Sequence, residues 1–93
     1  MTLHQLKIWT TVAKHRSMTR AADELRFRQP SVTQQIKLLE KEYRLEFYKV
    51  NGRGIEVAQA GKIFLKYGKK ILLQVDKLEK EIRSSVKRRR RHR

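Results

Sequence analysis

Ser17–Leu45, S-M-T-R-A-A-D-E-L-R-F-R-Q-P-S-V-T-Q-Q-I-K-L-L-E-K-E-Y-R-L, is the stretch that decides the fold of this chain. It predicts a short helix with Thr19 as its N-cap, a tight turn without glycine, and a longer helix. This is the order of elements in a helix-turn-helix unit. Apolar residues recur at helical steps and are expected to face the core: Ala21, Ala22 and Leu25 in the first helix, and Val32, Ile36, Leu39 and Tyr43 in the second.

The opposite face of the longer helix carries side chains of the kind that read DNA bases. Short and medium side chains stand near the helix start: Gln29, Pro30, Ser31, Thr33 and Gln34. Lys37 and Lys41 add positive charge further along. A recognition helix needs this division, because its first residues meet base edges in the major groove while neighbouring cations meet phosphate. The alternative is an ordinary amphipathic helix whose polar face is solvated.

This stretch resembles the signature of the LysR-type transcriptional regulators. The likeness lies in Ser17–Ala22, Leu25, Gln29–Thr33, Gln35–Ile36 and Leu39–Glu40, and it extends over about residues 1–80. The resemblance implies a mainly α fold, in which a winged helix-turn-helix of three helices and a short β-hairpin wing precedes a long C-terminal linker helix. It also implies DNA binding, and it implies a larger effector-binding domain that is not among these residues.

One departure from the family pattern concerns the start of the longer helix. Arg28 stands where the family commonly has Ser or Thr, and arginine has no acceptor with which to cap a helix. The cap could pass to Gln29 or to the backbone, and we expect Arg28 to contact a phosphate instead. Thr19, Arg20 and Lys37 are expected to position the chain on phosphate as well.

A first helix precedes the helix-turn-helix. Thr2 is expected to cap it, and it is expected to end near Lys14–Arg16. Its apolar stripe, with Ile8 at the margin, consists of Leu3, Leu6, Trp9, Val12 and Ala13. Phe27, in the turn between the two later helices, is expected to pack beneath that turn.

A β-hairpin is predicted after the recognition helix. Residues 45–50 alternate as in a short strand, residues 51–54 are typical of a hairpin turn, and residues 55–57 form the return strand. In the family such a wing carries a basic tip for the minor groove or its phosphates, and Arg53, with Lys49 beside it, occupies the equivalent place. An ordinary solvated turn is the alternative. The family usually has Gly where Arg44 stands and Arg where Lys49 stands, and lysine lacks the bidentate geometry of arginine.

A long helix is predicted next. Residues 58–61, A-Q-A-G, resemble the start of the family's linker helix, with Ala58 in place of the capping Thr. One apolar stripe then continues at helical steps through Phe64, Tyr67, Ile71, Val75, Leu78, Ile82 and Val86. Such a helix would be about 40 Å long at ~1.5 Å per residue, more than a small domain can cover. A second copy is the simplest partner, and the resemblance implies an antiparallel pair. A basic amphipathic helix on a membrane is the competing interpretation.

The chain is strongly basic, with 24 Lys and Arg against nine acidic residues and a net charge of +15. Residues 1–60 hold eleven basic and six acidic residues, whereas residues 61–93 hold thirteen and three. This excess favours a polyanionic partner such as nucleic acid or an anionic membrane. Residues 87–93 hold six like charges and are expected to be a disordered tail. The tail could add non-specific affinity for DNA or be no more than an exposed end.

Several classes of function lack their residues. The chain has no cysteine, which excludes disulfides, thiol catalysis and cysteine-based zinc sites. His4, His15 and His92 lie far apart without ligand spacing, so no metal or other cofactor is expected. No nucleophile, base and orienting group come together as in an enzyme active site, and Asp23–Glu24 is more simply a solvated helix face. The aromatic residues form no evident stacking platform for RNA. No secretory signal or bilayer-length apolar run is present, so a cytoplasmic location is expected.

These patterns divide the chain into a winged helix-turn-helix domain (1–58), a linker and dimerisation helix (59–86) and the tail (87–93). The predicted partners are double-stranded DNA with inverted half-sites and a second copy of the chain, with a higher oligomer possible in a full-length form. No membrane partner and no small-molecule site are expected. The predicted dimerisation residues are Phe64, Tyr67, Ile71, Val75, Leu78 and Ile82. The alternative is a short interaction module that heterodimerises with a longer regulator through the linker helix.

Overall fold

The computed structural model describes the backbone of residues 1–91 and the side chains of residues 1–86. Its helices are α1 (Leu3–His15), α2 (Met18–Leu25), α3 (Gln29–Tyr43) and α4 (Gln59–Arg91). Between α3 and α4 lies an antiparallel hairpin of β1 (Tyr48–Asn51) and β2 (Gly54–Val57). This order confirms the predicted fold, three helices and a hairpin wing followed by a long helix.

The helix starts follow capping chemistry, with one correction. Thr2 caps α1, as predicted, and Gln5 completes a reciprocal capping box that was not predicted. The N-cap of α2 is Ser17 and not Thr19, because the Ser17 hydroxyl accepts from the backbone N–H of Arg20 at 3.1 Å. Arg28 is the N-cap of α3 and makes no side-chain capping bond, which leaves that helix start without the usual acceptor.

The first three helices all end on an arginine in the left-handed region of backbone space. Arg16, Arg26 and Arg44 have φ angles of 50°, 59° and 56°. This conformation lets the Arg44 N–H close the end of α3 on the Glu40 carbonyl. The left-handed conformation is usually adopted by glycine, because a Cβ atom is sterically crowded in it.

Arg44→Gly is therefore expected to raise the free energy of unfolding by about 0.5–1 kcal/mol, since glycine relieves this crowding. Chemical unfolding monitored by circular dichroism measures the change. Arg44→Ala is the control, because alanine removes the charge but keeps the Cβ atom, and it is expected to give no gain. Equal gains from both variants would assign the effect to charge.

The core lies where α1 and α3 pack against the loop before the hairpin. Its largest side chains are fully buried: Leu6, Ile8, Trp9, Val12, Val32, Ile36, Leu39 and Phe47. Ile8 belongs to this core and not to its margin. Three apolar residues that were expected inside are partly exposed, namely Leu3 at 50%, Phe27 at 41% and Tyr43 at 39%. The Phe27 ring lies edge-on to the ring of His4 instead of beneath the turn.

The hairpin is anchored to the end of α1. The backbone N–H of Ile55 donates to the carbonyl oxygen of Arg16 at 3.1 Å. Gly54 makes this approach possible, because its φ angle is 137° and a Cβ atom there would lie 2.6 Å from the Arg16 oxygen. The strand register pairs Asn51 with Gly54. The turn at Gly52 and Arg53 thus projects from a wing whose base is attached to the helical core.

Helix α4 crosses α1 at two glycines. The indole N–H of Trp9 donates to the carbonyl oxygen of Gly61 at 2.9 Å, and Gly68 faces the side chains of Leu6 and Thr10. Helix α4 continues to Arg91, beyond the predicted end near Val86. The predicted disordered tail covers residues 87–93: the backbone of residues 87–91 belongs to α4, whereas the side chains of residues 87–93 and the backbone of residues 92–93 lie outside the described part of the chain.

Candidate nucleic-acid interface

The polar face of α3 forms a shallow concave surface at its N-terminal half. Gln29, Pro30, Thr33, Gln34 and Lys37 line it together. Ser31 is exposed in the same first turn but does not line this surface. The structure therefore brings four of the five predicted base-reading residues onto one surface, with a predicted phosphate contact at its end.

The buried face of α3 fixes the direction of this surface. Val32, Ile36 and Leu39 have no exposed area and lie against the core. Gln35 receives a hydrogen bond from the Gln5 side chain of α1 at 3.1 Å, so the flank of the helix is held as well. Because side chains three or four apart share a helix face, Gln34 and Lys37 point outward and are exposed, and Thr33 is partly exposed.

Lys37 is the predicted phosphate contact that lines the concave surface, and the other predicted contacts lie on α2 and at the start of α3. Arg28 and Arg20 are exposed, Arg28 at the start of α3 and Arg20 in the first turn of α2. The hydroxyl of Thr19, which is also a predicted phosphate contact, donates to the Gln29 side-chain oxygen at 3.3 Å. A hydroxyl has one hydrogen, so Thr19 cannot donate to a phosphate while it makes this bond.

Arg28→Ser is expected to increase the stability of the fold while weakening DNA binding. Serine supplies the missing cap of α3 and adds about 1 kcal/mol to the free energy of unfolding. If Arg28 contacts a phosphate as predicted, its loss reduces the magnitude of the negative slope of log affinity against log salt concentration by about 0.9. Thermal unfolding and titrations of labelled duplex at several salt concentrations measure the two effects. An unchanged salt slope would remove Arg28 from the interface.

The predicted wing residues lie on the hairpin, separate from the α3 surface. The Arg53 backbone N–H donates to the Asn51 side chain at 3.0 Å, which orders the turn that carries its exposed guanidinium. Lys49 is exposed on β1 directly across from Glu56 on β2. This carboxylate reduces the positive potential at Lys49, so Arg53 is the less compensated of the two cations.

An ion-pair cluster joins the end of α1 to α2, the first helix of the helix-turn-helix. Lys14 Nζ and His15 Nε2 lie 2.6 and 2.9 Å from Glu24 Oε1. These hydrogen bonds hold the pKa of the Glu24 carboxyl below its ordinary value of 4.5, and the bond from Lys14 has the larger effect. Glu24 thus pairs with the end of α1, whereas the sequence had suggested a simply solvated face.

The apolar stripe of α4 is open to solvent over most of its length. Tyr67, Leu78 and Ile82 are each more than half exposed, Ile71 is 38% exposed and Val75 is partly covered. Phe64 differs from these predicted dimerisation residues, because its ring packs on Phe47 of the same chain with the ring centroids 4.6 Å apart. An apolar groove continues the stripe towards α1 and is lined by Met1, Leu6, Tyr43, Ile63, Tyr67 and Ile71.

The sequence had not marked Met1, Tyr43 and Ile63 as parts of this groove. Ile63 lies beside the predicted stripe, and its position next to Phe64 was the available signal. Met1 is held there by its ammonium group, which lies 2.7 Å from a carboxylate oxygen of Glu42. Such a contact between residues 41 positions apart has no local sequence signature.

The part of the chain that the structure describes has neither a membrane-spanning helix nor a cluster of metal ligands. No helix there is both long and apolar enough to cross a bilayer. The same residues include no group of three or more His, Asp or Glu side chains placed to hold a metal ion.

A helix-turn-helix with a polar surface on its second helix, followed by a hairpin and a long helix, defines the winged helix-turn-helix class. Within that class, the chain belongs to the LysR family. The family described as "Bacterial regulatory helix-turn-helix protein, lysR family" matches residues 3–62. This match confirms the resemblance found in the Ser17–Leu45 stretch and its surroundings.

Relatives in this family are transcriptional regulators. The chain is 38% identical over 79 residues to the HTH-type transcriptional regulator CzcR of Bacillus subtilis (strain 168). It is also 38% identical over 81 residues to the HTH-type transcriptional activator CmpR of Synechocystis sp. (strain ATCC 27184 / PCC 6803 / Kazusa). The matches cover 85% and 87% of this chain but 27% of either relative, so the chain spans a minor part of their length.

Solved structures with this fold include DNA complexes. The chain matches the BenM DBD/catB site 1 DNA complex with a TM-score of 0.86 and 30% identity, covering 90% of this chain and 94% of that one. It matches the CbnR DBD–DNA complex with a TM-score of 0.83 and 31% identity, covering 92% and 99%. These likenesses extend through the helix-turn-helix and the hairpin into α4.

Proposed function

We propose that this chain binds double-stranded DNA in a sequence-specific manner, as the DNA-binding part of a LysR-type transcriptional regulator. The observation that carries the proposal is the concave surface on α3, where Gln29, Pro30, Thr33 and Gln34 lie together with Lys37. The proposal is also supported by the solved DNA complexes of two proteins whose DNA-binding domains have the same fold. The proposed role is regulatory and not enzymatic, and the proposed location is the cytoplasm.

In this proposal the residues of the reader divide into two groups. Gln29, Ser31, Thr33 and Gln34 contact base edges in the major groove, and Pro30 offers apolar contact to a thymine methyl group. A bidentate Gln–adenine pair contributes about 1–3 kcal/mol of discrimination against a wrong base. Backbone phosphates are held by Arg20, Arg28 and Lys37, with Arg53 and Lys49 on the wing.

Two copies of the chain act together in the proposed complex. The exposed stripe of α4 pairs with the same stripe of a second copy, in an antiparallel arrangement that holds two readers apart. Two readers related by a twofold axis match two inverted half-sites in DNA. In a full-length protein, further association into a higher oligomer and control by an effector-binding domain would build on this dimer.

Selection of binding sites from a pool of random duplexes tests the proposal directly. The expected result is an enriched motif of two inverted half-sites. The selection is repeated with the chain ended after Val86, and the same motif is expected with lower affinity for random DNA. If all enrichment disappears with residues 87–93, the polybasic end is the binder and the proposal for α3 is wrong.

A second function is favoured by the exposed stripe of α4 alone. A chain that pairs through α4 with a longer LysR-type regulator would act on that regulator by forming a heterodimer. Co-expression with a tagged full-length relative tests this idea. Recovery of the heterodimer in preference to the homodimer would favour it, whereas a homodimer that excludes the relative would contradict it.

A further inference from the structure

Two charged side chains beside the apolar stripe of α4 are not used within the chain. Two of the three acidic residues of α4, Asp76 and Glu79, form ion pairs with cations four positions further on. The third, Glu81, is exposed, as is Lys70 earlier in the helix. Among the side chains that the structure describes, neither Lys70 nor Glu81 belongs to an ion pair. The Lys70 ammonium group instead lies 5.5 Å from the centre of the Tyr67 ring, on the stripe.

Lys70 and Glu81 lie on the same edge of the stripe. At about 100° per residue, Lys70 is about 100° and Glu81 about 80° around the helix from Ile71, in the same direction. Lys70 also borders an apolar groove that runs along the stripe from Ile71 to Leu78. This edge therefore carries a cation in the first half of α4 and an anion about 16 Å further along, at ~1.5 Å per residue.

We propose that Lys70 of one copy pairs with Glu81 of a second copy, and that these two pairs set the orientation and the register of the α4 dimer. The inference rests on the proposed function, because it assumes that the stripe of α4 pairs with a second stripe. Antiparallel helices are related by a twofold axis perpendicular to both, which brings the same edge of each helix together. Each Lys70 then meets a Glu81. In a parallel pair these two residues would stay about 16 Å apart along the helix axis.

The charge pairs also select one register among several. A contact between the two charged residues places the twofold axis halfway between them, at residues 75–76. Ile71 of one copy then lies level with the gap between Leu78 and Ile82 of the other, which is the knob-into-hole arrangement of an apolar seam. A shift of one helical turn would keep the apolar faces together but would separate the charges by about 5.4 Å.

In this register the second copy covers the apolar groove beside α1. Residues 63–71, which form the α4 side of that groove, lie level with residues 80–88 of the second copy. Ile82 and Val86 are the stripe residues in this range, and both are exposed within one chain. They fill the groove of the first copy, where Tyr43 is left partly exposed by its own chain. Two such contacts form in the dimer, one on each side of the axis.

Charge reversal tests the pair, with Lys70→Glu and Glu81→Lys made separately and together. Each single variant places like charges opposite each other twice in the dimer, and sedimentation equilibrium should show a dimer dissociation constant raised about tenfold or more. The double variant restores opposite charges and should return the constant to within about threefold of the wild type. Lys69→Glu is the matched control, because it makes the same change about 160° around the helix from Ile71, and it should leave the dimer unchanged.

Crosslinking tests the orientation and the register. The chain has no cysteine, so the variant with both Lys70→Cys and Glu81→Cys carries two thiols, which lie about 16 Å apart within one chain. A short thiol-reactive crosslinker should join two copies of this variant. It should not join two copies of Lys70→Cys alone, because these two thiols also lie about 16 Å apart, on either side of the axis.

The outcomes separate this inference from the proposed function. Single charge reversals that leave the dimer unchanged, or that the double variant fails to rescue, would overturn the pairing and leave the proposed dimer standing. Efficient crosslinking of Lys70→Cys alone would show a different orientation or register and would overturn it as well. A wild-type chain that stays monomeric, both free and on a duplex with two inverted half-sites, would overturn the dimer of the proposed function itself.

Discussion

Gly61→Ala is expected to lower the free energy of unfolding by about 2–4 kcal/mol, through overpacking and the loss of a buried hydrogen bond. The added Cβ atom would lie 2.2 Å from the carbonyl oxygen of Phe47 and 2.5 Å from the Trp9 ring. Neither neighbour can move easily, because Trp9 and Phe47 are fully buried and their rings pack edge to face. Helix α4 would have to move away from α1, which would also break the bond from the Trp9 indole to the Gly61 carbonyl oxygen.

Gly52→Ala is the matched control for this variant. Nothing lies within 4 Å of a Cβ atom at Gly52, in the hairpin turn, so the same substitution should be close to neutral. Thermal unfolding of both variants is expected to show a decrease of about 10–25 °C in melting temperature for Gly61→Ala alone. Equal melting temperatures would mean that α4 does not pack on Trp9 as closely as described.

Helical periodicity was a good guide to burial where a helix lies fully inside the core. Val32, Ile36 and Leu39 recur at steps of three and four and are completely buried. The same periodicity failed at helix ends, where Leu3 and Tyr43 are 50% and 39% exposed. A repeat identifies one face of a helix, but the neighbouring elements decide how far along its length that face is covered.

Contacts between residues that are distant in the chain could not be predicted from the sequence. Gly61 looked like part of a helix start, and its close approach to Trp9 depends on how α4 crosses α1. Thr19 and Ser17 are both good N-cap residues, and only the bond from Arg20 identifies Ser17 as the cap. The remaining hydroxyl, that of Thr19, then reaches Gln29 ten residues away, a contact that no local pattern predicts.

The concave surface of α3 was easier to anticipate, because its residues belong to one helix. To predict which residues share this surface, only the orientation of α3 was needed, and the buried positions of that helix determine it. The residues are Gln29, Pro30, Thr33, Gln34 and Lys37. The wing was predicted from its turn residues. Its placement depends on the bond between Ile55 and Arg16, which joins elements that are distant in sequence.

Leu78→Asp is expected to give a folded monomer that binds a duplex with two inverted half-sites at least about a hundredfold more weakly than the wild type. Leu78 is 59% exposed within one chain, so its replacement removes little intrachain packing. In the proposed dimer it lies in the apolar seam of α4, where a carboxylate is costly to bury. Each reader would then bind a half-site separately and lose the effective concentration that a linked second reader provides.

Leu73→Asp is the matched control, because it makes the same change on the other side of the same helix. Leu73 is 53% exposed, and at about 100° per residue it lies roughly 160° around α4 from Ile71. Both variants add one negative charge to a DNA-binding chain, so general repulsion from phosphate affects them alike. Analytical ultracentrifugation should find a monomer for Leu78→Asp and a dimer for Leu73→Asp, and only the former should lose affinity for paired half-sites. If the two variants bind equally well, α4 does not hold the readers together, and each reader acts alone on one half-site.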